Sequence, residues 1–270
     1  MSDQPYFPES VNELERLENK TDRQAVIDQA VWAGLKPGMR VLDVGCGPGV
    51  TASSMAEVVG PEGFVVGIDR SSERVEHARN KYGQSNVDYV QRNFFEDLSD
   101  LGSFDFVWIR FVLEYFLKES FQLVSHVAGS IKPGGVFCIA DLDLNCMNHH
   151  GTSDRLDLTF RQIGKAQMKN NNFDPYAGRK LFTYLYDLGF IDIRADVRMH
   201  HLVCGELSEF DRWNWWQKIE IGGRLSGWTF DDYEDGFAGF EKEFKEYFSS
   251  PRRFTYTPLI IARGVKPSAV

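Results

Sequence analysis

The 270-residue sequence lacks several features that mark membrane, secreted and metal-binding proteins. It has no apolar run of about 18 residues, the length that a membrane-spanning helix needs. The first ten residues, MSDQPYFPES, carry no apolar core of a signal peptide. The cysteines form no C-x-x-C pair and no zinc-type spacing: Cys46, Cys138, Cys146 and Cys204. We therefore expect a cytoplasmic protein with no membrane partner, no metal site and no disulfide framework.

Basic residues are also few relative to acidic ones. The chain has 30 Lys and Arg against 39 Asp and Glu, which gives a formal net charge of -9. Because phosphate binding needs a surplus of cations on one face, this balance argues against a nucleic-acid partner. The hydrophobic content of 43% is that of a globular protein with a sizeable core. A chain of this length allows one large α/β domain with additions, or two small domains.

Short apolar runs alternate with helical patterns between residues 35 and 145. The strand-like runs are MRVLDV, FVVGID, NVDYV, FDFVWI and VFCIADLD, and LEYFLKESFQLVSHVAGSI predicts a long helix after the fourth of them. Strands separated by helices predict a parallel sheet with right-handed crossovers and helices on both faces. Two later runs, FIDIRADVRMH and RFTYTPLIIARG, indicate strands that complete the same sheet. The pattern predicts a doubly wound α/β fold.

Helical patterns also stand on both sides of this core. Two capping boxes, Ser10-Val-Asn-Glu13 and Thr21-Asp-Arg-Gln24, predict two helices before the sheet. After residue 145, helical patterns rich in aromatic residues interrupt the last two strands. We interpret these patterns as insertions that cover a cleft.

One of these insertions contains the sequence W-N-W-W at residues 213–216. Helical spacing places Trp213 and Trp216 on one face and Trp215 off that face. Such an aromatic patch is typical of a core or of a dimer surface, and it also suits a lid over a flat, apolar substrate. All three interpretations stay open at this point.

The stretch VLDVGCGPGV, residues 41–50, joins a predicted strand to a predicted helix. Gly45 and Gly47 allow a tight turn and a close approach of the backbone to a ligand, because they have no Cβ atom. Asp69 follows 24 residues after Gly45, at the end of the next strand. That spacing suits a carboxylate that accepts hydrogen bonds from ribose hydroxyls, although Asp69 as the N-cap of the next helix is the alternative.

Two details of this loop argue against a dinucleotide. A dinucleotide fingerprint needs its third glycine at position 50, where Val50 stands, whereas the third glycine is Gly49. Asp43 lies at the end of the strand, where its carboxylate would repel a pyrophosphate and attract an ammonium or a sulfonium. The loop therefore predicts a ligand that combines adenosine with a positively charged tail.

The motif V-L-D-V-G-C-G-P-G resembles the first motif of class I S-adenosylmethionine-dependent methyltransferases, and further matches follow over about residues 35–145. The resemblance implies a Rossmann-like sheet of seven strands, mostly parallel with the last strand antiparallel, and S-adenosylmethionine as the cofactor. It also implies a set of cofactor-binding residues: Asp43, Gly45, Cys46, Gly47, Gly49, Asp69, Arg70, Asn93, Phe94, Arg110 and, from the first helix, Arg16.

The resemblance gives some of these residues individual roles. Asn93 stands where the family usually has an Asp that accepts a hydrogen bond from the adenine amine, and an Asn oxygen can accept the same bond. Phe94 would contact adenine, Arg110 would lie near the methionine end, and Arg16 would reach the cofactor carboxylate. For Arg110, an ion pair with Glu114, four residues on, is an equally supported interpretation.

The chemistry implied by this resemblance needs few catalytic groups. Methyl transfer from a sulfonium is an in-line displacement, so the protein contributes mainly by positioning the two reactants. A base is needed only if the acceptor arrives protonated. Asp141 and His149, near the end of the fifth strand, are the candidates for that base. The alternatives are that Asp141 caps a loop and that His149 is a solvent-exposed loop residue.

These observations lead to one functional prediction with alternatives. We expect a methyltransferase that acts on a small-molecule acceptor, aromatic or apolar in character, as a monomer or a homodimer. A protein methyltransferase and a non-catalytic protein that binds an adenosine cofactor stay open. We divide the chain into an N-terminal helical cap (1–34), a cofactor-binding core (35–145) and a C-terminal part with a substrate cover (146–270), all within one domain.

Overall fold

A computed structural model describes residues 11–268, apart from the side chains of residues 11–13 and 15. Within that range, eight strands form one sheet. The strands are β1 (Arg40–Val44), β2 (Phe64–Asp69), β3 (Val87–Gln91), β4 (Phe104–Arg110), β5 (Ile131–Leu142), β6 (His149–His150), β7 (Ile191–Cys204) and β8 (Phe254–Val265). The helices are α1 (Val11–Lys20), α2 (Arg23–Ala33), α3 (Val50–Val59), α4 (Ser72–Tyr82), α5 (Ser120–Ala128), α6 (Asp154–Asn170), α7 (Leu181–Asp187), α8 (Glu209–Arg224) and α9 (Phe237–Ser249).

The strand order confirms the predicted sheet. It runs β3-β2-β1-β4-β5-β8, with parallel pairing from β3 through β5 and antiparallel pairing of β8 with β5. β7 pairs antiparallel with the other edge of β8, so it runs in the same direction as β1 to β5. The sheet has one strand more than predicted, because the two-residue β6 continues the line of β5 along β8. The strand order reverses between β1 and β4, which is where ligands bind in open α/β sheets.

Helices cover both faces of the sheet, as predicted for strands that are apolar along their whole length. One core cluster joins the strands to α5 and α7, and includes Leu123 and Leu181. The opposite cluster joins the strands to α2, α3 and α4, and includes Ala30, Met55 and Val75. The burial of both faces fixes the strand ends that carry the candidate site.

A third core cluster lies outside the sheet layers and is built from aromatic residues of α6, α8 and α9. Phe240, Phe244 and Phe248 recur every fourth residue of α9, so they lie on one side of the helix, and all three are fully buried. They pack with Trp215 of α8, and Val203 of β7 belongs to the same cluster. The aromatic second half of the chain therefore forms a core of its own, next to the C-terminal strands.

Three predictions of where a helix begins either need correction or concern residues that the structure does not describe. α2 begins after Asp22, whose carboxylate accepts a hydrogen bond from Ala25 N at 3.1 Å, and not after Thr21, whose hydroxyl donates to Leu17 O. The capping box at Ser10 lies outside the described residues. The long helix predicted after the fourth strand is wrong in its first part, because a short 3-10 turn precedes α5 there. Among the described residues, we find no helix with the length and apolar character that crossing a bilayer requires.

Candidate active site

The loop after β1 adopts a backbone that only glycine accommodates without strain. Gly45, Gly47 and Gly49 have φ angles of 77°, 54° and 99°. The N–H group of Gly45 donates to Ile68 O at 2.8 Å, which ties the loop to β2. A Cβ atom on Gly45 would lie 2.4 Å from Val112 Cγ2, so a larger residue would displace the segment after β4. The glycines thus bring the β1 loop against the ends of β2 and β4.

Asp69 is buried at the end of β2 and holds this loop. Its Oδ2 accepts a hydrogen bond from Gly47 N and its Oδ1 accepts one from Ser71 N, both at 3.0 Å. The N-cap of α4 is Ser71, whose hydroxyl accepts from Arg74 N. The carboxylate of Asp69 is therefore not the helix cap, and it keeps a fixed orientation at the strand end.

A cavity of about 800 Å³, counted with its open mouth, lies beside this loop. We call it the glycine-loop cavity. The structure brings seven of the eleven predicted cofactor residues into its wall: Gly45, Cys46, Gly47, Asp69, Arg70, Phe94 and Arg110. They come from the ends of β1, β2, β3 and β4, which are far apart in the sequence but adjacent in the sheet, as expected for a site at the reversal of strand order.

The other four predicted residues lie outside this wall. Gly49 packs against α4, where a Cβ atom would come within 2.8 Å of Ala78 Cβ. Asn93 is exposed, and its Oδ1 accepts a hydrogen bond from Phe95 N within its own turn. Arg16 lines a second cavity, described below. Asp43 is buried beneath the loop, where Thr51 donates to its Oδ2 at 2.5 Å. Burial raises the pKa of Asp43 to about 7.

Arg110 is buried at the end of β4. Its guanidinium carbon lies 4.0 Å from the ring centroid of Phe111, and its Nε has no hydrogen-bond partner among the described residues. Burial lowers the pKa of Arg110 to about 10, whereas the negative charge of Asp43 opposes that shift. Glu114 instead accepts a hydrogen bond from Asn145 Nδ2 at 2.8 Å, so the structure does not show the alternative ion pair between Arg110 and Glu114.

Asp141 is fully buried and binds backbone groups. Its Oδ2 accepts hydrogen bonds from Leu113 N and Glu114 N at 2.8 and 3.2 Å, and its Oδ1 accepts from Leu142 N. Burial raises the pKa of Asp141 well above its usual range. Asp141 does not belong to the wall of either cavity, and it positions the segment after β4 rather than the loop that follows its own strand.

His149 is enclosed as well, and it is not an exposed loop residue. Its Nδ1 lies 2.9 Å from Thr255 Oγ1 and its Nε2 lies 3.0 Å from Cys146 O. The ring packs 4.4 Å from that of Phe160, and burial lowers the pKa of His149 to about 4. Both ring nitrogens are thus occupied, and His149 is in neither cavity wall. The geometry favours a structural role.

A second cavity, of about 1030 Å³ with its open mouth, lies between the end of β5 and the helices α6 and α8. We call it the apolar cavity. Its wall includes Phe160, Phe173, Trp215 and Ile219. Two residues, Lys20 and Tyr115, line both cavities, so the two lie side by side. Trp215 is fully buried, whereas Trp213 is 38% exposed. The wall therefore contains Trp215, the residue that helical spacing placed off the face shared by Trp213 and Trp216.

The sequence reasoning missed three charged residues in the apolar cavity: Lys20, Glu114 and Lys218. Glu114 is buried and burial raises its pKa. Burial and the neighbouring cations lower the pKa of Lys20 to about 7. A signal for Glu114 was present, since it follows the carboxyl end of β4 by four residues. No local pattern distinguishes Lys20 or Lys218 from helix surface lysines.

Comparison with known proteins is consistent with this geometry. A family model described as a methyltransferase domain matches residues 35–189, more than half of the chain. An uncharacterized 37.1 kDa protein in transposon TN4556 of Streptomyces fradiae is 28% identical over 197 residues, which are 68% of this chain and 52% of that protein. A demethylmenaquinone methyltransferase of Listeria welshimeri is 32% identical over 132 residues, 48% of this chain and 55% of that protein. This chain thus spans about half the length of both relatives.

A solved structure shares the fold. It is the phosphoethanolamine N-methyltransferase 2 of Haemonchus contortus, in complex with phosphomonomethylethanolamine and S-adenosylhomocysteine. The TM-score is 0.58 at 20% sequence identity, and the match covers 95% of this chain and 57% of that chain. At this identity the likeness is one of fold.

Proposed function

This chain belongs to the methyltransferase-domain family, and from that premise we propose that it transfers a methyl group from S-adenosylmethionine to a small-molecule acceptor. One observation carries the proposal. The glycine-loop cavity, whose wall includes Asp69 and Arg110, lies beside the apolar cavity, and the two walls have only Lys20 and Tyr115 in common among the described residues. Such a pair offers one compartment for the donor and one for the acceptor.

The residues of the glycine-loop cavity suit the parts of the donor. The carboxylate of Asp69 can accept hydrogen bonds from ribose hydroxyls, and Phe94 offers a flat apolar surface to adenine. Arg110 can bind the carboxylate of the methionine end, since it lies in the wall of the cavity. Asp43 lies buried beneath the loop with its pKa raised to about 7, and a cationic centre above the loop would favour its charged form.

When bound, the cofactor supplies a methyl group that its positive sulfonium already activates. The chain then has to hold the acceptor in line with that group, a contribution that can reach about 7–11 kcal/mol. Glu114 is the one carboxyl group in the wall of the apolar cavity among the described residues. We assign it, in place of Asp141 and His149, as the group that takes a proton from an acceptor hydroxyl, and its raised pKa suits that role.

Isothermal titration calorimetry with S-adenosylmethionine, S-adenosylhomocysteine and NAD tests the donor. We expect the first two ligands to bind with a 1:1 stoichiometry and NAD to give no response. Binding of NAD alone would instead support a nicotinamide oxidoreductase. A screen of metabolites and of a peptide library with a labelled donor then tests the acceptor class. Methylation of peptides alone would favour a protein methyltransferase, and binding without any transfer would favour a non-catalytic protein.

Gly47→Ala separates close ligand approach from backbone strain. A Cβ atom on Gly47 would meet no protein atom within 4 Å, and Gly47 lines the glycine-loop cavity. Because residue 47 has a positive φ, we expect the alanine to lower the free energy of unfolding by about 1–2 kcal/mol. We also expect the affinity for S-adenosylhomocysteine to fall at least about tenfold, because the methyl group occupies ligand space. Urea denaturation and calorimetry measure the two effects.

Gly38→Ala is the matched control. Gly38 has a φ of 79°, and a Cβ atom there also meets nothing within 4 Å. It lies in the exposed turn before β1 and lines neither cavity. The control variant should lose similar stability and keep the parent affinity. If both variants keep the parent affinity, the cofactor does not approach the loop at Gly47.

A further inference from the structure

The wall of the apolar cavity carries more positive than negative charge. Among the described side chains, it contains three basic ones, Arg16, Lys20 and Lys218, and one carboxylate, Glu114. The chain as a whole has the opposite balance, with a formal net charge of -9. Among the described residues, cations therefore outnumber carboxylates in the wall of the cavity where the proposed acceptor binds.

Lys20 stands at the boundary between the two cavities, because it lines both of them. Its Nζ lies 4.9 Å from the ring centroid of Phe111. Within the described part of the chain, it forms no ion pair with a carboxylate. Burial and, to a smaller extent, the charges of Arg16 and Lys218 lower the pKa of Lys20 to about 7, and the charge of Glu114 opposes that shift. Among the described side chains, the single carboxylate of Glu114 therefore acts on both Lys20 and Lys218 near the place where the two cavities meet.

Lys218 belongs to the apolar cavity alone. Its Nζ lies 4.7 Å from the ring centroid of Trp215 and 3.6 Å from Cys146 Sγ. It forms no ion pair either, as far as the described side chains show. The contacts of Lys218 are an indole and a thiol, and the carboxylate of Glu114, whose pKa it lowers, is shared with Lys20. A partly enclosed cation of this kind is stabilised when a further anion joins it.

We propose that the methyl acceptor is an apolar molecule with one anionic group, a carboxylate or an ionised hydroxyl, which Lys218 and Lys20 bind at the boundary of the two cavities. This inference rests on the proposed function and names its substrate class. The apolar body of the acceptor lies against Phe160, Trp215 and Ile219. Its anionic group offsets the positive charge of the wall and the additional positive charge of the donor sulfonium.

A matched pair of probes tests the charge preference: 2-naphthoate and 2-naphthamide, which share their shape and differ in charge. Each is titrated by calorimetry into the full chain, with and without S-adenosylhomocysteine. We expect 2-naphthoate to bind at least about tenfold more tightly than 2-naphthamide, the range of one charge-assisted hydrogen bond. Equal affinities, a preference for the amide, or no binding of either probe would overturn the proposal.

Lys218→Met removes the charge and keeps most of the apolar side chain that packs on Trp215. We expect this variant to lose most of the preference for the acid, since Lys20 alone then faces the anion, and we expect Lys218→Arg to keep the preference. Lys242→Met is the control, because Lys242 is exposed on α9 and lines neither cavity. An undiminished acid preference in Lys218→Met would show that Lys218 does not bind the anion. Failure of S-adenosylhomocysteine to bind would refute the proposed function instead, since the probes are also titrated without it.

Discussion

Asp69→Ala is expected to weaken the binding of S-adenosylhomocysteine by roughly 10- to 150-fold, as measured by calorimetry. This corresponds to about 1.5–3 kcal/mol, the contribution of a hydrogen bond to a charged group. The structure strengthens the reason for the effect. Asp69 lies in the wall of the glycine-loop cavity, and the N–H groups of Gly47 and Ser71 fix its orientation. The side chain therefore requires no reordering to receive two ribose hydroxyls.

Two further variants separate the lost ligand contact from general damage. Asp69→Asn keeps one acceptor oxygen and should give an intermediate affinity. Asp88→Ala removes an exposed carboxylate from the neighbouring strand β3, which lines neither cavity, and should leave the affinity unchanged. An Asp69→Ala protein that is folded and binds S-adenosylhomocysteine with the parent dissociation constant would show that the ribose lies elsewhere.

Trp215→Ala is expected to lower the free energy of unfolding by about 3–5 kcal/mol, the cost of truncating a buried aromatic residue. Trp215 is fully buried, and its ring lies 4.7 Å from that of Phe248. Trp213→Ala is the matched control from the same helix, since Trp213 is 38% exposed. That change should stay within about 0.5 kcal/mol. Urea denaturation followed by far-UV circular dichroism measures both, and equal losses would contradict the assignment of Trp215 to the core.

The same experiment tests the proposed division of the chain. We propose that residues 146–270 form one domain with the sheet, because β7 and β8 are part of it. Far-UV circular dichroism follows the secondary structure of the whole chain, whereas tryptophan fluorescence follows to a large extent the surroundings of the tryptophans in α8. If the chain is one cooperative domain, the two signals change together in a single transition. Two separate transitions would show that the aromatic cluster of α6, α8 and α9 unfolds independently.

The parallel core was predictable because its signals are local. Strands that are buried on both faces, such as β4, require continuous apolar sequence, and the positive φ angles of the first loop require glycine. The two-residue β6 was not predictable, since two residues show no periodicity. The length of the helix that contains α5 was overestimated, because apolar residues continue through the preceding 3-10 turn. There the carboxylate of Asp141, on strand β5, accepts a hydrogen bond from the backbone N–H of Leu113.

The aromatic helix α8 shows a different limit. Helical spacing sets the angles between Trp213, Trp215 and Trp216, but it does not say which direction faces the protein interior. α8 packs against both α6 and α9, and that arrangement buries Trp215. The interpretation as a core was one of three that the sequence left open, and only the packing of the three helices distinguishes among them.

By itself, the sequence determined the α/β fold and the features of the proposed donor site that lie within one strand, loop and helix. The tertiary structure alone brought together the residues of the proposed acceptor site. Lys20, Glu114 and Lys218 come from the N-terminal helix, the segment after β4 and α8, about 100 residues apart from one to the next. Their charges act on one another only after the helices have folded over the ends of the strands, because electrostatic interactions depend on distance in space and not on separation along the chain.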